Sequence, residues 1–552
     1  MNIALRLVQI AKVIPENIAV TFPRFDKFKN KYHYQNLTFR ELDILSNKFA
    51  IQLKEMGIEK NDKVLLFLRP SLEFHAMTFA IFKAGIIPVF IDPGMGKKNL
   101  LKCIKDIKPV ALIAEKEVHL LSLLFPKVFQ SIKYRVSPHP LLFPFKNKLN
   151  MEKMKKHKIH YFKTEEVIPS DLAAILYTSG GTGIPKGVIY THEIFNEQTE
   201  ILKDLFHLTT EDIDLPGFPL FSLFTISMGM KSVIPDMDPS RPSEVDPEKI
   251  YQNIIDQSPT FIAGSPAIWE RLADFCLSHK RTLPSVKYVA MFGAPVSVKL
   301  HKKFKNILPN GTTYTPYGAT ECLPVSNISG EYILKNTAKL SEEGIGTCIG
   351  KPIPTNEVRI IKYVDKEISK IDEVTFQAPF IPGEIIVKGK VATPSYFEME
   401  TKTKEAKIYD HDSFWHRMGD IGFLDEDNKL WFLGRCSHQV FANNETEIKT
   451  YFPIPVEAIF NRHVDVKRSA LISVFKNGHT YPGIVIERKD GEFLRGKDRA
   501  IFESELLKMA KQFPHTKEIN KIYFSNKFPV DVRHNIKIDR TKLQNEMAKY
   551  DE

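Results

Sequence analysis

Residues Tyr177 to Gly187 read YTSGGTGIPKG, directly after the apolar run Ala173 to Leu176 and ahead of a second short apolar run, Val188 to Tyr190. The pattern predicts a strand, a glycine-rich loop and a second strand. Gly180, Gly181 and Gly183 let backbone N–H groups approach an anion without side-chain obstruction, while Thr178, Ser179 and Thr182 add hydroxyl donors. Lys186 supplies a compensating positive charge. The loop is neither a P-loop, because Pro185 precedes Lys186 and Gly187 follows it, nor a GxGxxG turn. A plain surface turn explains the glycines but not the hydroxyl residues and lysine gathered with them. This is a loop for phosphate.

Outward from it, short apolar runs alternate with helix-like patterns. Lys63 to Leu68, Ile87 to Ile91, Val110 to Ala114, Thr260 to Ala263 and Val286 to Phe292 read as buried strands. Ser71 to Ala84, Lys98 to Ile107, Pro266 to Ser278 and Ser297 to Leu308 read as helices. Such alternation predicts an α/β body with a doubly wound sheet. After Gly434 the order becomes strand, strand, helix, strand, helix, over Arg468 to Phe475, Gly483 to Arg488, Asp498 to Phe513, Lys521 to Ser525 and Arg540 to Ala548. We therefore expect an N-terminal domain over 1–434 and a small α+β lid domain over 435–552, joined by a hinge at about 435–440.

The chain is long enough for at least two cores. Its 77 Lys plus Arg against 66 Asp plus Glu give +11, but the basic residues are dispersed, and no helix or aromatic motif for reading nucleic acid is present. The one cluster, from Lys146 to Lys163, reads as a solvated linker or excursion. Cys103, Cys276, Cys322, Cys348 and Cys436 are odd in number and contain no CxxC pair, which predicts neither a zinc site nor a disulfide framework. The start lacks a signal-peptide core, and the longest apolar stretch, Thr78 to Ile91, is broken by Lys83 and Pro88, so no membrane span and a cytoplasmic location are expected. No repeat is present.

Four further phrases follow the loop in order: YGATE at Tyr317 to Glu321, WHRMGDIG at Trp415 to Gly422, LGRCS around Arg435, and KIDR at Lys537 to Arg540. Each alone is weak, since an isolated MGD or GR is more often a turn. Together with the loop, the chain resembles the adenylate-forming superfamily of acyl-CoA synthetases, luciferases and peptide-synthetase adenylation domains, across almost its whole length. The resemblance implies ATP and Mg²⁺ as cofactors. It implies that the loop residues Thr178 to Gly183 and Lys186 hold the phosphates, that Gly293, Ala294 and Gly318 contact ATP or AMP, that Tyr317 stacks on the adenine, and that Thr320 meets the α-phosphate. Glu321 would hold Mg²⁺, Asp420 the ribose hydroxyls, and Arg435 would partner Asp420 at the domain junction. Lys537 resembles the mobile lysine that neutralises charge during attack on phosphorus; with Lys186 and Thr320 it would form the catalytic set.

EEGIGTCIG, with Gly344, Gly346 and Gly350, superficially suggests a dinucleotide loop, but Pro352 and Pro354 leave no room for the helix such a loop needs. We read it as a turn before a strand at Glu357 to Lys362. Other departures narrow the branch. Coenzyme A ligases usually carry a histidine where PLFSLF has Ser222, Asp or Lys where this chain has Ser437, and a glycine-rich turn where it has FANNETE. With VFIDPGMGKKNL from Val89, SVIPDMDPSRP from Ser232 and FPVDVRHNIKIDRTKL from Phe528, these resemble the olefin-biosynthesis β-lactone synthetases.

That branch implies activation of a long-chain β-hydroxy acid as its acyl adenylate, then ring closure by the substrate's own hydroxyl with release of AMP. Coenzyme A would not be required, and assembly with other olefin-pathway enzymes would be expected. An acyl-CoA or acyl-AMP ligase is the alternative on the same scaffold. A catalytically silent binding protein would be expected to have lost some of Lys186, Glu321, Asp420 and Lys537, all of which are present. Leu215 to Met230 and Phe261 to Trp269 are expected to line an acyl pocket, although core packing explains Phe221, Phe224 and Trp269 equally well. His192 reads as a helix-start or packing residue rather than a base.

Overall fold

A computed structural model describes residues 1–142, 145–178, 185–443, 448–476, 478–492, 494–530 and 538–549. The predicted runs form strands and helices in the expected places, and several of the helices also carry a start signal. Ser71 accepts a hydrogen bond from the Phe74 N–H ahead of Leu72–Lys83, and Ser297 does the same for Leu300 ahead of Val298–Ile307. Pro266 opens Pro266–Ser278 at the position where its missing N–H costs nothing.

The body contains two seven-stranded sheets. One runs Thr312–Tyr314, Tyr288–Met291, Phe261–Gly264, Ile213–Pro216, Lys231–Val233, Ile18–Asp26 and Lys31–Thr38. The other runs Lys148–Asn150, Tyr134–Ser137, Ala111–Ala114, Lys63–Phe67, Ile87–Ile91, Leu172–Thr178 and Lys186–Thr191. In each, every neighbour is parallel except the last pair. Central strands such as Ala111–Ala114 and Phe261–Gly264 are buried at every position, which is why they read as continuous apolar runs. A shared core joins the sheets through Val20, Val64, Phe39, Phe49 and Phe79.

A third, mostly antiparallel sheet orders Tyr317–Ala319, Cys322–Asn327, Thr347–Pro352, Leu430–Arg435, Ser413–Leu424, Gly383–Lys388 and Glu357–Ile361, with Lys407–Asp410 paired to Ser413–Leu424. The C-terminal sheet orders Ile448–Tyr451, Val440–Asn443, His479–Arg488 and Val466–Lys476, with Lys521–Phe524 added parallel to His479–Arg488, and it has its own core around Phe460, Ile484 and Leu506. Sheet membership changes between Arg435 and Val440.

Two readings need correction. The segment after Lys146 is not a linker: Lys148–Asn150 extends a sheet and Met151–Lys155 is a short helix with Met151 and Met154 fully buried. Only two methionines spaced three apart face inward, so the surrounding lysines dominate the local composition. The residues after Gly346 are likewise not just a turn, since Thr347–Pro352 is a strand of the third sheet. Its glycines serve close packing: a Cβ on Gly350 would lie 2.0 Å from the Asn327 carbonyl oxygen. The hairpin Ile18–Asp26 and Lys31–Thr38 had no counterpart in the sequence reading.

Candidate active site

The third sheet brings three separated motifs into contact. Asp420 and Arg435 are direct cross-strand partners, and Tyr317 reaches them from the sheet's edge hairpin. The Tyr317 hydroxyl donates to Asp420 Oδ2 at 2.6 Å, and Arg435 Nη1 lies 2.9 Å from Asp420 Oδ1 while donating to the Met418 carbonyl at 3.2 Å. Asp420 Oδ1 accepts no aligned hydrogen bond, so a buried carboxylate oxygen keeps accepting capacity for a ligand hydroxyl. Burial raises the Asp420 carboxyl, opposed first by the Arg435 charge, and burial beside Asp420 holds the Tyr317 phenol far above its ordinary value as a donor.

Thr320 and Glu321 occupy the turn between Tyr317–Ala319 and Cys322–Asn327. The Thr320 carbonyl accepts from the Tyr190 hydroxyl at 2.7 Å. The Glu321 carbonyl accepts from the Thr393 N–H at 2.8 Å and its hydroxyl at 3.0 Å, and Glu321 Oε1 accepts from the Tyr396 hydroxyl at 2.8 Å. One carboxylate oxygen is thereby oriented and the other is left for a cation. Among the described residues no group of three or more His, Cys, Asp or Glu could hold a metal. Mg²⁺ does not need one, because it is commonly held by one or two carboxylates, waters and substrate phosphates. Glu321 fits that use.

Lys186 opens its strand opposite Thr178, and its Nζ lies 4.8 Å from the centre of the Tyr396 ring. Burial lowers the Lys186 pKa, and the Glu321 charge opposes this. Thr178, Lys186, Gly293, Ala294, Tyr317, Gly318, Thr320, Glu321, Asp420 and Arg435 all line one cleft of about 2620 Å³. The same open cleft also runs past Lys467, Val530 and Asn545 of the C-terminal part, so its volume is not that of the nucleotide site alone. Gly293 adopts φ +87°, which favours glycine at that corner. Gly318 is required for a different reason: a Cβ there would meet the Cys322 carbonyl oxygen at 2.6 Å. Ser179, Gly180, Gly181, Thr182, Gly183 and Lys537 lie outside the described residues. Three positions beyond Lys537, Arg540 forms a fork onto Glu457, at 2.5 and 2.9 Å.

Toward the body the cleft becomes apolar, with Phe218, Leu220, Phe221, Leu223 and Phe224 on its wall. Phe221 stacks on Phe261 and Phe292 at 5.8 and 5.6 Å, so it serves both core and wall. Trp269 is fully buried in a core cluster and does not reach the cleft. Ser222 turns away from it as well: its Oγ is 2.7 Å from His75 Nε2, and both residues are buried. His192 is the first residue of His192–Phe206, its Nδ1 accepting from the Ile3 N–H at 3.3 Å. Tyr190, Thr393, Tyr396 and Lys407 surround the site outside the quoted site motifs, and His416 lies within WHRMGDIG without having been given a role.

Residues 9–397 match the family described as AMP-binding enzyme. The chain belongs to that family. Among curated relatives, this AMP-binding enzyme is 36% identical to the olefin beta-lactone synthetase of Xanthomonas campestris pv. campestris, over 98% of this chain and 96% of that protein. It is 35% identical to the olefin beta-lactone synthetase of Stenotrophomonas maltophilia, over 98% and 97%. In fold it matches the anthranilate CoA ligase AuaEII in complex with anthranoyl-AMP, with TM-score 0.79 at 18% identity over 100% of this chain and 98% of that one. The Bacillus subtilis O-succinylbenzoate coenzyme A synthetase solved with ATP and a magnesium ion matches with TM-score 0.73 at 20% identity, over 98% of each chain. The doubly wound body with a C-terminal sheet domain is the fold of these ligases. Among the described residues, no helix is long and apolar enough to cross a membrane.

Proposed function

We propose that this AMP-binding enzyme activates a long-chain β-hydroxy carboxylic acid as its acyl adenylate and then closes it to a β-lactone. The observation that carries adenylation is the convergence of Tyr317, Asp420 and Arg435 with Glu321 and Lys186 on one cleft. A carboxylate oxygen attacks the α-phosphorus of ATP, and pyrophosphate leaves with the electrons of the broken P–O bond. Asp420 takes the ribose hydroxyls, Tyr317 packs against adenine with Gly293 and Ala294, and Thr320 donates to the α-phosphate. Lys186 and Lys537 offset the growing negative charge. Mg²⁺, when held by Glu321, supplies Lewis-acid stabilisation of the phosphate oxygens.

In the second stage the β-hydroxyl oxygen attacks the activated carbonyl carbon, loses its proton and expels AMP. Holding the hydroxyl within the same molecule replaces a bimolecular encounter. Ser222, bonded to His75 and turned from the cleft, puts no imidazole where coenzyme A ligases usually carry one, which supports the lactone over the thioester. The names of the two curated relatives point the same way. With ATP, Mg²⁺ and a long-chain β-hydroxy acid, sustained AMP release is expected without coenzyme A; AMP release that requires coenzyme A would favour the acyl-CoA ligase instead.

The change of sheet between Arg435 and Val440 supports a hinge there, dividing 1–434 from 435–552. Rotation about it would let the lid carry Lys537 to the body. Limited proteolysis should then show altered cleavage around 435–440 when ATP and acid are saturating, and identical digests would count against the motion.

A further inference from the structure

Behind Glu321 lies a buried polar chain that the proposed chemistry does not use. Lys407 and His416 are direct cross-strand partners, and each is almost fully buried. Lys407 Nζ donates to the Thr393 carbonyl and lies 3.1 Å from His416 Nδ1. Thr393 in turn grips the Glu321 carbonyl through both its N–H and its hydroxyl. The chain Glu321, Thr393, Lys407, His416 is therefore continuous. It ends in the cleft, whose wall includes His416 beside Lys186, Tyr396 and Lys402.

Two features of this chain point to an anion. Among the described residues Lys407 makes no ion pair with a carboxylate, and a buried ammonium without a counter-charge is costly. The His416 ring has Lys407 Nζ and the Ala406 carbonyl, at 3.2 Å, on its Nδ1 side, whereas Nε2 takes no hydrogen-bond partner among the described residues and is not sealed from the cleft. Nδ1 cannot accept from Lys407 and donate to the Ala406 carbonyl at once; with the shorter contact, from the Lys407 ammonium, as the bond, the ring proton sits on Nε2, making it a donor into the cleft. Burial lowers Lys407 to about 7 and, with the Lys407 and Lys186 charges, drives His416 well below its usual value. This agrees with a cation-rich pocket lacking its anion.

Position selects which part of the nucleotide this is. His416 pairs with Val387 while Ile421, next to Asp420, pairs with Glu384, so a bulge between them leaves a displacement along the sheet of at most about 10 Å at ~3.3 Å per residue. With Asp420 on the ribose, His416 is displaced along the sheet toward Lys186, whose charge acts on it and which the resemblance assigns to the phosphates. Accepting the adenylation reading, we propose that His416 binds the pyrophosphate portion of ATP, and that Lys407 is a positioning residue that holds its ring as an Nε2 donor.

The test uses the full-length protein with MgATP, inorganic pyrophosphate and AMP as probes. His416→Phe and Lys407→Met should each raise the KM for MgATP and the inhibition constant of pyrophosphate by ~10-fold or more, the range expected for a lost hydrogen bond to a charged group. AMP affinity and the consumption of preformed acyl adenylate should stay within about twofold of the parent by the same reasoning, and Lys407→Arg should restore part of the pyrophosphate affinity. Unchanged ATP and pyrophosphate constants would overturn the proposal, as would an equal loss of AMP affinity, which would mark a purely structural role. Calorimetric binding of pyrophosphate and AMP reports on His416 even if no acid supports turnover. A parent protein that binds both but releases no pyrophosphate from ATP would therefore sink the activity and not this site.

Discussion

Asp420→Ala is expected to weaken ATP binding by about 100-fold, since two ribose hydroxyl bonds to a charged acceptor are worth ~1.5–3 kcal/mol each before compensation. The carboxylate also ties the Tyr317 hydroxyl at 2.6 Å and faces Arg435 at 2.9 Å, so its removal leaves both without their partner. Because the Arg435 side chain is 43% exposed, water will absorb part of that loss, and the effect on ATP should exceed the effect on the melting temperature. Asp420→Asn keeps the shape and one acceptor and should fall between the two. Calorimetric titration of ATP, with a melting curve for each variant, checks this. An Asp420→Ala protein that binds ATP like the parent would remove Asp420 from the nucleotide site.

The second large effect is expected at Glu321. Its main chain is pinned by Thr393 and one carboxylate oxygen by Tyr396, whose phenol is kept protonated by burial and then by the Glu321 charge. Glu321→Gln preserves size but removes the charge that a divalent cation needs. A slowing of pyrophosphate release by at least ~100-fold at moderate Mg²⁺ is expected, given the several kcal/mol that such a cation contributes to charge stabilisation. Tyr396→Phe leaves the charge and loses only its orientation, so a loss of ~3- to 10-fold is expected, the value of one neutral-donor bond. Rates measured across Mg²⁺ concentration should show the Glu321→Gln curve displaced to higher metal. A curve superimposable on the parent would contradict the assignment.

The parts of the site that lie in ordered phrases were legible in the sequence, and the parts created by packing were not. YGATE, MGDIG and LGR could be placed because each is local, and the third sheet then aligned Asp420 directly with Arg435. Tyr396 sits in irregular backbone 75 residues from Glu321, and nothing in its neighbourhood marks it as the group that orients that carboxylate. His416 lies inside the WHRMGDIG phrase and Lys407 outside every quoted phrase, and only burial with a shared hydrogen-bond chain distinguishes them. Ser222 stood out as a departure, yet its partner His75 is 147 residues away and could not be named in advance.

At the level of elements, strands buried on both faces announced themselves by composition. Edge pieces did not: Met151–Lys155 hides two methionines among lysines, and Lys31–Thr38 has a single buried position, Tyr32. The glycines of EEGIGTCIG read as a turn although Thr347–Pro352 is a strand, since glycine permits close strand approach as readily as a turn.

The central claim is ring closure without an external acceptor, and product analysis tests it most directly. The protein would be incubated with ATP, Mg²⁺ and racemic long-chain β-hydroxy acids, in the presence and absence of coenzyme A, and the products examined by mass spectrometry and infrared or NMR spectroscopy. The account predicts AMP, pyrophosphate and a neutral product lighter than the acid by one water, with the ring-ester signature, formed equally without coenzyme A. A thioester formed only with coenzyme A, and made as readily from plain fatty acids, would contradict it.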